Sequence, residues 1–374
     1  MKLFGSKLSY LGIDIGSSGV KLVELLNEGG RPKLATYGYI EEPVDIVRND
    51  SAELIQKASV MIKKLIKEAA ATSTKVVSAL PSFSVFSSVI SMPQMSKKDL
   101  AEAIVWEAKK FVPLPVEEMV LDWKILQEGQ LPKTGEDKNQ ASGLNANNRE
   151  LLGQLNGARE RNVKVLLTAA PKNLVDKFVK IYQASELDLI SLETDAFSLE
   201  RSLVGNDHSP IMIIDVGAIS TDITIVEKGI PLLNRSVDVG GDTITKAIMR
   251  SLNIDLKRAE QFKRDVGFSE TSNSGVIPKV IEGAISTVVN EIKYCFDLYV
   301  NQPNSRQAVE KIILTGGSSF LPNLPAYLSK LLEIKVYIGD PWARIIYPVE
   351  LKEVLEEIGP RFAVAIGLAM REIV

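Results

Sequence analysis

The 374-residue sequence has one cysteine, Cys295, and one histidine, His208. With a single cysteine no disulfide can close within the chain, and a Cys/His zinc site is excluded. The lone histidine sits in the loop-like stretch GNDHSP, which gives no support to a Cys–His or Ser–His nucleophile pair. The chemistry therefore falls to carboxylates, lysines and backbone amides. No run of about 18 apolar residues occurs, so no segment reads as membrane-spanning. The opening MKLFGSKLS lacks the long apolar stretch of a secretory signal, and a cytoplasmic location is the simplest expectation. Net charge is −3 with both signs interspersed, without the basic face that nucleic-acid binding requires. Neither a P-loop nor a G-x-G-x-x-G stretch is present, so neither Walker-type nor Rossmann phosphate binding is indicated.

Hydrophobic residues make up 45% of the chain, enough for real cores, and at roughly 150 residues per domain the length suggests two or three domains. LGIDIGSSGVKLVEL (11–25) and IMIIDVGAISTDITIVEK (211–228) share one design. Each is an apolar run, an aspartate, a small turn and a second strand-like run. Each opens a β-meander: residues 10–40 in the first case, and the stretch from Pro210 in the second.

Between them, apolar residues at helical spacing predict a helix over 51–70, and KVVSALP (75–81) reads as a short strand. VFSSVISMP reads as a strand, and Ser96 with Asp99 forms a capping-box start for a helix to about Phe111. MVLDWKIL and NVKVLLTAAP are two further strands, followed by a helix over 172–186. This β-α-β-β-α order predicts an inserted subdomain. The polar stretch at about 128–161 reads as a disordered loop with a fleeting helix at 148–155. Later helices are expected at 242–252, 256–265 and 277–300, the last with Cys295 in its core stripe, and RFAVAIGLAM reads as a small-residue helix.

Small residues after each aspartate let backbone N–H groups approach an anion. An aspartate cannot itself bind phosphate, so it makes sense there only with a cation between them. Mg²⁺ keeps several waters and needs few carboxylates. Asp14 and Asp215 would then hold a hydrated Mg²⁺ beside a polyphosphate, with Lys21 adding positive charge. LTGGSS (314–319) and VGGD (239–242) place paired glycines between a strand and a helix, where backbone can approach a base or a phosphate. Taken singly, either turn could be an ordinary β-turn; it is the matched pair that carries the reading.

GIDIGSSGVKLVEL, IIDVGAISTDITIVEKG and ILTGGSSFLPNL resemble, in order, the phosphate-1, phosphate-2 and adenosine motifs of the actin/sugar-kinase/heat-shock-chaperone ATPase superfamily. LISLETDAFSLERSL resembles its first connecting helix and FAVAIGLAM its second. More narrowly, the insert, its WEAKKFVPLPVEEMVLDW stretch and the ending IGPRFAVAIGLAMREI resemble the PilM family of type IV pilus machines, with FtsA the nearest relatives. The sequence stops a few residues after the second connecting helix, without the membrane-binding amphipathic helix usual in FtsA.

The resemblance implies an α/β actin-like ATPase fold, two duplicated halves around a nucleotide cleft. The expected layout is a first half over 1–81, the insert over 82–188, a connecting helix over 189–206, a second half over 207–350 and a C-terminal return over 351–374. It implies ATP and Mg²⁺ as cofactors, with Asp14 and Asp215 approaching the metal through water. Gly16, Ser17, Ser18, Lys21 and Gly217 would contact phosphates. Gly240, Gly241, Glu260 and Lys263 would lie near the sugar, and Gly316, Gly317 and Ser318 near the base. Glu193 would position the attacking water, or is simply a solvated carboxylate in the helix SLETDAF; Thr194 follows it where many relatives have proline, so hydrolysis is expected to be slow at best.

The implied partner is the N-terminal cytoplasmic tail of PilN, a membrane protein, held in a groove between the insert and the first half. Trp106, Phe111 and Trp123 are candidate anchors there, or simply the insert's own core. Other pilus components, including the assembly ATPase, and self-association are further expected contacts. The membrane would be reached only through partners, at the inner face of the bacterial inner membrane. Three functions stay open: a nucleotide-gated binding platform, an FtsA-like polymerising ATPase, and a small-molecule kinase using Asp195 as base.

Overall fold

The two repeated apolar runs form the centres of two matching sheets in a computed structural model, which describes residues 8–44, 51–112, 114–127, 162–269, 276–301 and 308–374. The expected loop at 128–161 lies outside the described residues. In chain order, β1 (Ser9–Gly16), β2 (Gly19–Asn27), β3 (Pro32–Ile40), α1 (Ala52–Glu68) and β4 (Lys75–Leu80) come first. Then come β5 (Phe86–Pro93), α2 (Lys97–Phe111), β6 (Met119–Gln127) and β7 (Asn162–Pro171). The chain continues through α3 (Lys172–Ala184), β8 (Asp188–Thr194) and α4 (Asp195–Leu199), which runs on into a π-helical turn, Glu200–Val204. The second meander is β9 (Ile211–Val216), β10 (Thr221–Glu227) and β11 (Ile230–Val237). After it come α5 (Gly241–Leu252), α6 (Leu256–Val266), α7 (Val276–Val300), β12 (Lys311–Thr315), α8 (Leu324–Leu332), β13 (Lys335–Ile338) and α9 (Lys352–Met370).

The sheet orders are β3-β2-β1-β4-β8 and β11-β10-β9-β12-β13. In each, the meander is antiparallel and the last two strands join in parallel. The duplication extends to irregularities: a bulge lies at Glu24/Leu25 in one meander and at Ile225/Val226 in the other. With strands buried on both faces, the central runs are continuously apolar, as in Ile211–Ile214.

The chain divides into two compact units, Met1–Val85 with Asn173–Val374, and Phe86–Lys172. The larger contains both five-stranded sheets. Its α9 is built of small residues because it lies against backbone. A Cβ on Gly12 of β1 would stand 1.9 Å from the carbonyl oxygen of Ala365, and one on Gly367 would stand 1.9 Å from that of Ser198. Midway along, α9 meets the second half: the Pro360 carbonyl accepts from the Thr315 hydroxyl and from the Gly316 N–H, both at 3.0 Å.

The smaller unit is a three-stranded antiparallel sheet, β5-β7-β6, with α2 over it. Leu100, Ile104 and Ala108 of α2 pack on Ile90, Val165 and Leu167. Ser96 and Asp99 form the expected box, Asp99 N–H donating to Ser96 Oγ at 3.2 Å and the Ser96 hydroxyl to the carboxylate at 2.7 Å. Trp106 is 71% exposed and Phe111 47%, whereas Trp123 packs on the unit's own core.

Two boundaries differ from the sequence reading. Helix 172–184, expected inside an insert spanning 82–188, belongs to the larger unit. Its Phe178 and Tyr182 are fully buried, and the Tyr182 hydroxyl donates to Ser78 of β4. The expected connecting helix over 189–206 begins as strand β8, because Asp188–Thr194 completes the parallel edge of the first sheet beside β4; helix starts only at Asp195. Among the described residues no helix is long and apolar enough to cross a membrane.

Candidate functional site

Each meander opens with a hairpin that carries an aspartate at the end of its first strand. In the first, β1 and β2 are closed by Ser17 and Ser18 between paired Gly16 and Gly19. Gly19 has φ +148°, and a Cβ there would lie 1.9 Å from the Ile40 carbonyl oxygen, so the tight turn and the neighbouring strand both require glycine. Asp14 faces Lys21 across the pair, with Nζ 3.0 Å from Oδ2. In the second hairpin the register places Asp222 opposite Asp215. The two pairs have the same seven-residue spacing, but one is Asp/Lys and the other Asp/Asp.

These groups act on one another across the two halves. Burial works against the charge of Lys21, yet Asp14, Asp215 and Asp195 outweigh it and raise its pKa. Burial, with Asp222 and Asp14, pushes Asp215 up to about 7 against the pull of Lys21. Burial also raises Asp222, to about 6, although the Ser236 hydroxyl donates to it; Asp238 adds to the rise. Asp195, at the start of α4, stands well above the usual carboxylate range through burial and through Asp14, Asp222 and Asp215, while the Ser82 N–H, 3.3 Å away, opposes. Among the described residues, Asp14, Asp195, Asp215 and Asp222 are thus linked electrostatically, with Lys21 paired to Asp14.

The second half knits the remaining predicted residues into one network. Gly241 and Asp242 N–H donate to the carbonyls of Gly217 and Ala218 at 3.0 and 2.8 Å. The start of α5 therefore spends those two amides on the hairpin. Ser318 donates from its N–H to the Val216 carbonyl at 3.0 Å and from its hydroxyl to that of Gly217 at 3.3 Å. A Cβ on Gly240 would lie 2.6 Å from the Ala218 carbonyl, and one on Gly241 2.4 Å from Ser318 Oγ. Gly316 has φ +85°, and its Cβ would lie 2.2 Å from Asp215 Oδ1. Glycine at these positions lets the hairpin, the start of α5 and the turn after β12 pack directly against one another. Lys263 is buried and donates to the Gly241 carbonyl at 3.2 Å, to Thr245 Oγ1 at 2.9 Å and to Glu260 at 2.7 Å. Burial works against the charge of Glu260, but Lys263, Thr245 and Arg264 hold its pKa below the ordinary value. Gly317 lies beside Arg361, which pairs with Glu41 at 2.8 Å.

Glu193 is engaged differently from the other named residues. Arg201 grips it with two hydrogen bonds of 2.8 and 3.0 Å, and Arg371 adds an ion pair at 3.3 Å. The same Arg201 donates to the Gly367 carbonyl at 2.5 Å. Asp195, two residues further on, is the carboxylate that interacts with Asp14 and Asp215. Asp222 was not singled out from the sequence, though its spacing from Asp215, matching that of Lys21 from Asp14, was a readable signal.

Among the described residues no three His, Cys, Asp or Glu side chains converge to ligate a metal directly. An ion here would meet these carboxylates through water, and their mutual repulsion favours a cation. The clustered carboxylates fit a hydrated cation, whereas the N–H groups of Gly217, Gly241, Asp242, Gly316 and Ser318 are bonded to protein carbonyls.

A family model described as "Type IV pilus assembly protein PilM" matches residues 12–141 and 150–373. The solved structure of a PilM–PilN type IV pilus biogenesis complex matches with a TM-score of 0.78 and 27% identity over 98% of this chain and 99% of that one. The ethanolamine utilization protein EutJ of Carboxydothermus hydrogenoformans matches with a TM-score of 0.55 and 15% identity over 97% of this chain and 89% of its own. MreB5 of Spiroplasma citri bound to AMPPNP matches with a TM-score of 0.51 and 14% identity over 97% and 95%. Both share the actin-like fold. The cell division protein FtsA of Neisseria meningitidis serogroup B is 25% identical over 181 residues, 42% of this chain and 41% of its own length. FtsA of Bacillus subtilis is 18% identical over 198 residues, 48% and 45%. The chain thus spans less than half the length of the curated relatives it matches.

Proposed function

The chain belongs to the PilM family of type IV pilus assembly proteins, and we propose that it is an ATP-binding platform at the inner face of the bacterial inner membrane, whose nucleotide state governs its grip on the cytoplasmic tail of a membrane protein. The observation that carries this reading is the pair of duplicated hairpins, with Asp14 and Lys21 on one and Asp215 and Asp222 on the other. ATP sits between them, with its phosphates at Gly16, Ser17, Ser18, Lys21 and Gly217. Its sugar lies by Gly240, Gly241, Glu260 and Lys263, and its base by Gly316, Gly317 and Ser318. Mg²⁺, held through water by Asp14 and Asp215, supplies positive charge beside the phosphate oxygens.

Asp195 rather than Glu193 is the base we assign. It lies among the cleft carboxylates, whereas both oxygens of Glu193 are taken by Arg201. A carboxylic acid with a raised pKa is a poor base until a cation enters, so hydrolysis is slow and binding dominates. Support for the partner comes from the solved PilM–PilN complex and from the separate insert, whose helix α2 exposes Trp106 and Phe111. Aromatic anchors of this kind suit an apolar tail segment. Any coupling between nucleotide and tail is reciprocal.

Fluorescence anisotropy with a labelled PilN-type tail peptide tests the reading, using the whole chain and a version in which a short linker replaces Phe86–Lys172. Binding to the whole chain alone, altered by ATP, is expected. Equal binding to both, or binding to neither, contradicts the partner assignment.

A further inference from the structure

Beneath the Asp14 hairpin two hydroxyls form a directed relay. Tyr182 and Ser78 are both fully buried. The Tyr182 hydroxyl donates to Ser78 Oγ at 2.6 Å, and the Ser78 hydroxyl donates to the Ile13 carbonyl at 2.8 Å. Ile13 pairs with Ser78 in the parallel register of β1 and β4, and its carbonyl belongs to the peptide that ends in Asp14. Each hydroxyl has one proton to give, so the chain has one direction and ends at that peptide.

A phenylalanine would fill the same core site without the cost of burying a hydroxyl. A phenol there has a reason only if its hydrogen bond is used. Hydrogen bonds in series polarise one another in a low dielectric, which stiffens the acceptor at the end of the row. The acceptor here is the backbone on which the Asp14 carboxylate turns toward Lys21.

We propose that Tyr182 is a positioning residue for Asp14, acting through Ser78 on the Ile13–Asp14 peptide. This rests on the reading of Asp14 as the water-mediated cation anchor. Tyr182 is carried by α3, the helix by which the chain returns from the insert, so the hairpin is braced from an element other than its own meander.

The test is a calorimetric cycle with ATP, in Mg²⁺ and in EDTA, on wild type, Tyr182→Phe, Asp14→Asn and the double variant. Tyr182→Phe should weaken binding of the Mg²⁺ complex about fivefold, the worth of one hydrogen bond. It should leave affinity in EDTA unchanged and add nothing in the Asp14→Asn background. A merely structural tyrosine would lower both affinities together. Equal loss in both buffers, additive losses in the double variant, or no loss at all overturns the proposal. Ser78→Ala carries the same arm if Tyr182→Phe does not fold. A wild type that binds no ATP overturns the nucleotide reading, and this inference with it.

Discussion

Asp222 faces Asp215 across the second hairpin, at the position that Lys21 occupies opposite Asp14 in the first. The duplicated hairpins are thus alike in backbone, one carrying a balanced Asp/Lys pair and the other an Asp/Asp pair. The site carries negative charge that either protonation or a bound cation relieves.

That excess makes the ligand-free protein pH-sensitive. Asp215 titrates at about 7 in the fold and near 3.8 when unfolded. Between those values the folded state holds the extra proton, so stability falls as pH rises through the interval and the penalty is complete above it. Asp222, at about 6, acts in the same sense. Urea melts from pH 4 to about 8 should show the decline, and Asp215→Asn should flatten it and melt higher at the alkaline end. A wild type whose stability rises steadily over this range contradicts the electrostatics.

Asp195 and Glu193 should separate cleanly in phosphate release and in stability. Asp195→Asn should lower ATP turnover by about 10²-fold, the lower end for general-base catalysis, while nucleotide still binds. Glu193→Gln strips a charge partner from Arg201 and Arg371, and should cost about 2 kcal/mol of stability with turnover per folded molecule kept. The reverse pattern would return the base to Glu193.

The packing of α9 makes a sharp steric prediction. Gly12→Ala drives a methyl onto the Ala365 carbonyl and the Ala369 N–H, 1.9 and 2.5 Å from the ideal Cβ. Both are backbone, so nothing flexible can yield, and a loss of about 3 kcal/mol or more is expected. Gly29→Ala meets nothing within 4 Å and is strained only by φ +66°, so about 1 kcal/mol is expected. Chemical denaturation of both variants checks the contrast.

Lys263 is the buried cation of the second half. Lys263→Met keeps its stem but leaves Glu260 without its closest cation, while the Gly241 carbonyl keeps only the Thr245 hydroxyl of its two side-chain donors. ATP affinity should drop about tenfold or more, with a stability loss of about 1–3 kcal/mol. Unchanged affinity would remove Lys263 from the sugar region.

The hairpins were legible because an apolar run, an aspartate and small residues are local features, and local features survive in the sequence. The repeat of the same turn near position 215 made the duplication visible as well. Lys21 stood out as the one cation there, whereas Asp222, in STDITIV, looked like the polar side of an ordinary strand. Its effect depends on register with Asp215 and on Asp14 from the other half. Strand β8 was read as helix because LISLETDAFSLERSL resembles a connecting helix as a whole; parallel pairing with β4 decides the state of its first part. The Glu193–Arg201–Arg371 cluster depends on α9 folding back against β1 and the π-helical turn that carries Arg201, which no local pattern records. The placement of α3 likewise depends on long-range burial of Leu174, Phe178, Ile181 and Tyr182, which its local helical pattern does not locate.

The most direct test of the nucleotide site is calorimetric titration of ATP with Mg²⁺ into the wild-type chain, Asp14→Ala and Asp215→Ala. The account predicts one nucleotide bound per wild-type chain and, in each variant, a loss of the Mg²⁺-dependent part of the affinity. No heat of binding in the wild type, or variants that bind Mg²⁺–ATP as tightly as it does, would contradict the reading of the paired hairpins.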